Sequence, residues 1–320
     1  MEWRAAPVKI AIVICTFRRP GSLARALASM AGLEPPGSAE WQIAVVDNGD
    51  CADTRRLVEE FRGRLPISLV VAPDPGLARA RNAALETLQC DYFIWTDDDV
   101  TVAPHWLRAY EAAFAAHPQA SFFGGPIAPQ FEGKPPAWLV KSLHLTGSAF
   151  AAREVAADGA RIALDTLPYG ANFALRAQEA RALRFDLALG RQPGRWMLSG
   201  EESQLLRRLC GQGGIGIWVA AAQVTHWIDP KRQTIAYLRR YYEGRAFGRV
   251  RRTLQAPPDT SWQALLRCEL AYLRGRLLRR PKIWVRALKQ ASLLRGARAA
   301  HSAHRHANLR PAGAVLEPAE

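Results

Sequence analysis

Three consecutive carboxylates interrupt the chain directly after an apolar stretch, in the segment WTDDDVT at 95–101. Asp97, Asp98 and Asp99 carry like charges, which repel one another, and a buried carboxylate is unfavourable unless it is paired or bound to a cation. Mg²⁺ and Mn²⁺ prefer carboxylate oxygens. The segment is therefore either a solvated acidic turn or a cation site at the end of a buried strand.

The charge of the chain is unevenly distributed along its 320 residues. Residues 231–320 carry 20 Lys and Arg but only five Asp and Glu, although the whole chain has a net charge of +14. The first 230 residues are nearly balanced, which is typical of an enzyme body, and a basic segment follows. The five cysteines are scattered without a C-x-x-C pair, which argues against a disulfide framework and a zinc-thiolate site.

The apolar runs are all short. None approaches the roughly 18 residues that a membrane-spanning helix needs. The first run, IAIVIC at 10–15, stops at charged residues without a cleavage-like site, so the sequence predicts no secretory leader. We therefore expect a cytoplasmic protein.

Short apolar runs alternate with helical patterns through the first hundred residues. The runs are rich in β-branched or aromatic residues and predict strands at 10–15, 43–47, 67–72 and 92–97. Helices are predicted between them, with Ser22 as the N-cap of the first. This alternation predicts an α/β fold with a parallel sheet, whose ligands bind beyond the carboxyl ends of the strands. Thr16, Asp47 and the three aspartates all stand at such ends.

The second half of the chain is less regular. A strand is predicted within 169–176, a helix over 199–214 with Glu201 and Glu202 in its first turn, and a strand over 215–227 that ends near His226.

Eight segments in this order resemble family 2 inverting glycosyltransferases. They are VICTFRRPGSLARAL, VVDNGD, GLARARNAAL, WTDDDV, YGANFALR, FDLALGR, GEESQLLRRL and VTHW. The resemblance covers roughly residues 8–250 and is closest to the bacterial succinoglycan-type exopolysaccharide glucosyltransferases. It implies a GT-A fold, which is a Rossmann-like, mostly parallel sheet flanked by helices. It also implies a UDP-sugar donor, with glucose as the candidate sugar, and a divalent metal, Mn²⁺ or Mg²⁺.

The resemblance also assigns roles to individual residues. Asp99 becomes the principal metal ligand, with Asp97 and His226 as further candidates. The nucleotide sugar is assigned to seven residues: Thr16, Arg18, Asp47, Arg81, Asn82, Asp97 and Asp98. Arg79 is left open between this role and that of a surface arginine. Gly170, Asn172 and Trp196 are assigned to the acceptor side.

The catalytic base departs from the family pattern. The family usually shows Gly-Glu-Asp with the aspartate as base, whereas this chain has Gly200, Glu201 and Glu202. By position Glu202 takes the role, and Glu201 remains the alternative. Inverting transfer needs one such base, because a single displacement removes one proton from the acceptor hydroxyl.

The sequence pattern predicts that the chain has three parts. Residues 1–254 form the catalytic domain, with a nucleotide half at 8–100 and an acceptor half at 101–254. Residues 255–295 are expected to be a basic amphipathic helical extension, and 296–320 a disordered tail. In the extension six apolar residues recur near helical spacing between arginines: Trp262, Leu265, Leu266, Leu270, Leu273 and Leu277.

The expected acceptor is a carbohydrate, most simply a polyprenyl-linked saccharide used in surface polysaccharide assembly. The basic extension suits peripheral contact with the inner face of the cell membrane, or else it packs on the catalytic domain. No nucleic-acid module is recognisable, so we expect no nucleic-acid partner. Two rival functions are a nucleotidyltransferase, which would normally show a Gly-rich basic loop after the first strand, and a non-catalytic carbohydrate- or membrane-binding scaffold.

Overall fold

The computed structural model describes residues 6–154, 157–190, 197–198, 200–253 and 259–308. The chain forms two compact units. The first comprises Met1–Pro135, Gly147–Arg195 and Gly200–Pro230, and the second comprises Pro136–Thr146, Trp196–Ser199 and Lys231–Glu320. The C-terminal segment of the second unit therefore starts at Lys231, whereas the predicted helical extension starts at residue 255.

The first unit is built on a seven-stranded sheet with the strand order β3-β2-β1-β4-β8-β6-β9. The strands are β1 Lys9–Thr16, β2 Glu40–Asp47, β3 Ile67–Val71, β4 Tyr92–Asp97, β6 Phe122–Gly124, β8 Asn172–Arg176 and β9 Gly216–Trp218. Strand β8 runs antiparallel to both of its neighbours, and the other pairs are parallel. The predicted α/β fold with a mostly parallel sheet is confirmed.

A second, three-stranded sheet in the same unit has the order β5-β10-β7. Its strands are β5 Val100–Val102, β7 Ile127–Phe131 and β10 Val224–Ile228. The strand predicted over 215–227 is therefore wrong as a single element. It is divided into β9 and β10, which belong to different sheets, because a turn at Ala220–Ala221 separates them.

Helices cover both faces of the large sheet. They are α1 Pro20–Met30, α2 Ala52–Phe61, α3 Leu77–Thr87, α4 Trp106–Ala116, α7 Ala177–Leu183 and α8 Glu201–Gly211. Alternate residues of β1 enter different cores: Ile10, Ile12 and Ile14 belong to one cluster, and Ala11 and Val13 to the other. Burial on both faces explains why β1 is a continuous apolar run and not an alternating one.

The second unit is helical. Its elements are α5 Ala137–Lys141, α6 Leu143–Thr146, α9 Ile235–Thr253, α10 Trp262–Leu277 and α11 Pro281–Asn308. Helix α11 packs against both α9 and α10. Among the described residues, no helix combines the length and the apolar character needed to span a lipid bilayer.

The expected disordered tail is wrong for 296–308, because α11 extends to Asn308. Ala297 and Ala300 are buried against Phe247 and Val250 of α9. This packing orders a segment whose sequence shows little large apolar character. Residues 309–320 of the predicted tail lie outside the described residues.

Candidate active site

Strands β1 and β4 bring Thr16 and Asp98 together at the carboxyl edge of the large sheet. The two strands are parallel and adjacent, with Cys15 opposite Asp97. The Thr16 hydroxyl donates to Asp98 Oδ2 at 2.7 Å, and both residues are buried. The sheet edge therefore holds the predicted carboxylates inside the protein and not on a solvated turn.

Arg19 neutralises part of this acidic group. Its Nη1 lies 2.6 Å from Asp98 Oδ1, and its Nη2 lies 3.0 Å from Asp99 Oδ2. One guanidinium thus bridges two neighbouring aspartates. The sequence analysis missed Arg19 and selected its neighbour Arg18.

The small sheet places His226 beside Asp99. Strands β5 and β10 pair antiparallel, with Val100 opposite His226. His226 Nε2 lies 3.3 Å from Asp99 Oδ1, and its Nδ1 lies 2.7 Å from the carbonyl oxygen of Phe150. Thr16, Arg19, Asp98, Asp99 and His226 together form what we call the aspartate cluster.

The tautomer of His226 bears on the predicted metal. A carbonyl oxygen only accepts, so Nδ1 carries the hydrogen in this contact, and neutral Nε2 presents a lone pair to the Asp99 carboxylate. Nε2 and the Asp99 carboxylate, 3.3 Å apart, are close enough that one divalent cation would be held by both.

One carboxylate and one imidazole fit a divalent cation that is held in part by its ligand. Across the described parts of the chain, no three His, Cys, Asp or Glu side chains converge to hold a metal by themselves. Such cations are usually held by one or two carboxylates together with substrate phosphates and water. Asp99 and His226 are the two protein groups that the geometry offers.

A second cluster joins helices α3 and α8. Arg81 Nη1 donates to Glu201 Oε1 at 2.9 Å and lies 3.9 Å from Glu202 Oε2. The side chain of Glu201 is 3% exposed, whereas that of Glu202 is 11% exposed. We call Arg81, Glu201 and Glu202 the glutamate cluster.

Arg81 is fixed by its surroundings. Its guanidinium lies within 5.8 Å of the ring centroids of Trp95, Phe173 and Phe185. Its Nη2 also donates to the Gly170 carbonyl at 3.4 Å, and a Cβ on Gly170 would overlap Nη2. Gly170 therefore permits the close approach of Arg81, and this geometry does not support the predicted contact with an acceptor.

The charge of Asp97 acts on a carboxylate in each of the two clusters. Burial raises the pKa of Asp98 to about 7, and the charges of Asp99 and Asp97 add to the effect. Burial likewise raises the pKa of Glu202 to about 7, with Glu201 adding to the shift and Arg81 opposing it; Asp97 contributes here as well. In the described part of the chain, the carboxylates of both clusters thus lie close to one another and to Arg19 and Arg81, and a divalent cation would offset part of their negative charge.

Asp47 and Arg18 form hydrogen bonds with the loop that follows β2. Asp47 is fully buried, and its carboxylate accepts from the backbone N–H groups of Gly49 and Cys51 at 3.0 and 2.8 Å. Arg18 donates to the Gly49 carbonyl at 3.1 Å. The structure therefore brings both residues to the sheet edge, where they organise a turn.

Asn82 and Asn172, both predicted site residues, use their side-chain amides in hydrogen bonds within the protein. Asn82 pairs with both the backbone N–H and the carbonyl of Phe185. Asn172 accepts from the Trp106 indole and the Tyr110 hydroxyl and donates to two carbonyl oxygens, of Pro126 and Ala222. These contacts give no support to a nucleotide or acceptor contact at either residue. Trp196 lies outside the described residues.

Arg79, two residues before Arg81, is placed differently. It is half-exposed and lies 3.9 Å from the exposed Asp74. This is the position of a surface arginine.

Comparison with known proteins identifies the family. The family model "Glycosyl transferase family 2" matches residues 11–157. The chain is also 30% identical over 249 residues to the succinoglycan biosynthesis protein ExoM of Rhizobium meliloti, covering 75% of this chain and 74% of that protein. The chain belongs to glycosyltransferase family 2. It is therefore a glycosyltransferase, and the two rival functions are set aside.

Other relatives agree with this assignment. A 90-residue part of the chain is 37% identical to an uncharacterized glycosyltransferase of Haemophilus influenzae, covering 27% of this chain and 33% of that one. The fold matches a mannosyltransferase of Pyrobaculum calidifontis in complex with GDP-Man and Mn²⁺, with a TM-score of 0.54 and 17% identity over 96% and 78% of the two chains. It also matches S. aureus TarS 1–349 in complex with UDP, with a TM-score of 0.54 and 13% identity over 93% and 92%. The predicted GT-A fold is confirmed.

Proposed function

We propose that this family 2 glycosyltransferase transfers a sugar, glucose in the simplest case, from a UDP-sugar to a saccharide acceptor by a single inverting displacement with Glu202 as the general base. The observation that carries the proposal is the asymmetry of the glutamate cluster. Arg81 binds Glu201 directly and leaves Glu202 more distant, more exposed and with a raised pKa.

This asymmetry separates the roles of the two glutamates. The carboxylate of Glu201 is already engaged by the buried guanidinium of Arg81 at 2.9 Å, whereas that of Glu202 lies 3.9 Å from the same atom. Glu202 has a pKa of about 7, which lies close to physiological pH, where a general base works best. Glu201 and Arg81 then act as positioning residues that hold the first turn of α8.

The reaction follows from one base acting on one hydroxyl. Glu202 accepts the proton of the acceptor hydroxyl while the hydroxyl oxygen forms a bond to the anomeric carbon of the donor. The bond between that carbon and the diphosphate breaks, and its electron pair leaves with the nucleoside diphosphate. An α-linked donor therefore gives a β-linked product.

The aspartate cluster holds the leaving group in this proposal. Asp99 and His226 are the residues that would hold a divalent cation, and the donor diphosphate would complete its coordination. When bound, such a cation stabilises the negative charge that develops on the leaving diphosphate. Arg19 sits at the same carboxylates and is placed to meet the phosphates, which suits a guanidinium.

Structural neighbours support the class of donor. TarS has been seen with UDP and with UDP-GlcNAc, and the Pyrobaculum mannosyltransferase with GDP-Man and Mn²⁺. For this chain we assign the nucleotide to Thr16, Asp97 and Asp98, at the carboxyl edge of β1 and β4. Among the other residues assigned to it from sequence, Asp47 ends the neighbouring strand β2, and Arg18 lies between β1 and α1.

The similarity to a succinoglycan biosynthesis protein supports a role in polysaccharide synthesis. We propose that this chain acts in the assembly of a surface polysaccharide, and that the acceptor is a saccharide linked to a polyprenyl lipid. Such an acceptor requires the enzyme to work at the inner face of the cell membrane.

Replacement of the two glutamates tests the base. Glu202→Gln is expected to lower kcat at least about 10²–10⁴-fold while the affinity for the UDP-sugar stays within a few-fold, because only the proton acceptor is lost. Glu60→Gln, an exposed residue of α2, serves as the surface control and should change neither quantity. Unchanged turnover in Glu202→Gln, with turnover abolished in a folded Glu201→Gln, would transfer the role to Glu201.

A further inference from the structure

Helix α10 presents a row of large apolar side chains to solvent. Five residues are exposed by more than half of their surface: Trp262 69%, Leu266 59%, Leu270 56%, Leu273 59% and Leu277 83%. At about 100° per residue they fall within an arc of roughly 80° on the helix. We call this row the α10 stripe. Contiguous exposed apolar surface of this kind marks an interaction site.

The opposite face of α10 holds the helix in place. Ala264 and Leu265 are buried in a cluster with Ala291 and Leu294 of α11. Leu265 was predicted to belong to the same apolar face as the stripe, but the structure separates it from the other five. Trp262 also contacts α11, because the guanidinium of Arg298 lies 4.0 Å from its ring centroid. The four leucines of the stripe lie outside the packing face that Ala264 and Leu265 form.

The surroundings of the stripe are strongly basic. Seven exposed basic residues lie between 262 and 286: Arg267, Arg274, Arg276, Arg279, Arg280, Lys282 and Arg286. The single acid in this range, Glu269, pairs with Arg295 at 2.7 Å. At about 100° per residue, Arg267 and Arg274 border the stripe on one side and Arg276 on the other.

We propose that the α10 stripe and its basic border dock the enzyme onto the surface of an anionic phospholipid bilayer. Leucine and tryptophan side chains enter the boundary between headgroups and acyl chains, and arginine forks bind lipid phosphates. The inference rests on the proposed function in one respect, because a lipid-linked acceptor places the reaction at such a surface.

Charge selects the lipid surface over a second copy of the chain. In a symmetric dimer formed through this stripe, the same patch would face itself and bring two sets of basic residues together. An anionic leaflet instead offers the complementary charge and attracts each basic residue near it. An apolar row of leucines also suits acyl chains better than the stacked bases of a nucleic acid.

Flotation of the full-length protein with vesicles tests the proposal. We expect the protein to float with vesicles that contain phosphatidylglycerol, and much less with pure phosphatidylcholine. Replacement of two stripe residues, Leu266→Ser with Leu273→Ser, should lower the bound fraction at limiting lipid at least about tenfold. Replacement of two arginines, Arg274→Gln with Arg280→Gln, should lower it about tenfold at low salt only.

Matched controls come from the first unit. Leu164 and Leu187 are exposed by 51% and 43%, so Leu164→Ser with Leu187→Ser removes a similar apolar surface elsewhere. Arg56→Gln with Arg62→Gln removes two exposed charges of α2 and its following turn. Both control pairs should float as the unmodified protein does. All variants concern exposed side chains, and circular dichroism verifies that each is folded.

Several outcomes would overturn the proposal. One is that the unmodified protein does not float, and another is that the stripe variant floats as well as the control variant. A third is that the protein does not bind vesicles but forms a concentration-dependent dimer, which the stripe variant abolishes. Binding of UDP-sugar is measured in the same samples by calorimetry. If the protein binds the donor but does not float, the membrane proposal is refuted and the enzymatic proposal is unaffected. If it floats but binds no donor, only the enzymatic proposal is refuted.

Discussion

Arg81 and Glu201, 120 residues apart in the chain, form a buried ion pair with an N–O distance of 2.9 Å. Neither side chain is more than 3% exposed. Buried pairs of this kind are tolerated only with good geometry and further partners, and removal of one member leaves an uncompensated charge. The pair also fixes the first turn of α8, from which Glu202 reaches the site.

The pair should therefore be essential to stability. Arg81→Met is expected to lower the free energy of unfolding by about 3–5 kcal/mol, because Glu201 stays buried without its partner. Urea denaturation measures the loss. Arg79→Met, two residues earlier in α3 and half-exposed, should change the free energy by less than about 0.5 kcal/mol. Similar losses in the two variants would contradict a special role for Arg81.

The close contact between Gly170 and the guanidinium of Arg81 should also be sensitive to substitution. Gly170→Ala would push the guanidinium of Arg81 aside, because the added methyl overlaps Nη2. We expect kcat to fall about tenfold and stability to fall by about 1–3 kcal/mol. Gly63→Ala meets no atom within 4 Å and is the control. Since Arg81 lowers the pKa of Glu202, the acidic limb of the pH–rate profile should also move to higher pH. An unmoved limb would contradict this positioning.

The pH dependence of turnover follows from the raised pKa of Glu202. A base acts in its ionised form, so a folded-state pKa of about 7 predicts full activity above that pH and loss below it. Turnover at saturating donor should fall about tenfold for each pH unit below the pKa. Because the pKa of Asp98 is also about 7, donor and Mn²⁺ binding must be measured over the same range. Constant turnover from pH 8.5 to 5.5 would rule out Glu202.

Arg19 should compete with a divalent cation for the aspartates. Arg19→Gln removes a positive charge that lies within 3.0 Å of both Asp98 and Asp99. We expect Mn²⁺ alone to bind about fivefold more tightly, as counted by the paramagnetic resonance signal of free Mn²⁺. Arg18→Gln is the matched control, since Arg18 contacts Gly49 instead. Weaker Mn²⁺ binding in Arg19→Gln would contradict the competition.

The main features of the fold could be predicted from the sequence, because strand ends of a parallel sheet converge. Thr16 and Asp98 meet for that reason, in adjacent strands with a fixed register. The position of His226 beside Asp99 could be predicted only from the family resemblance, because the strand that carries His226 belongs to a second sheet.

Other features depend on tertiary contacts that no local pattern reveals. Nothing in CTFRRP indicates which of its two arginines turns toward the aspartates. Arg18 has φ 51°, in the left-handed region, and its side chain is directed to Gly49. The same limit applies to Glu201 and Glu202, because their different distances from Arg81 depend on the packing of α3 against α8. Helix α1 begins at Pro20 and not after the predicted cap Ser22, because proline suits the first turn.

The most direct test of the account is a calorimetric titration of the folded protein with UDP-, GDP- and dTDP-sugars, with Mn²⁺ and then with EDTA. The account predicts that one UDP-sugar binds in the presence of Mn²⁺, that EDTA abolishes the binding, and that Asp99→Asn weakens it at least about tenfold. The exposed variant Asp74→Asn should bind as the unmodified protein does. Absence of binding for every nucleotide sugar, or binding that neither EDTA nor Asp99→Asn alters, would contradict a metal-assisted transfer at the aspartate cluster.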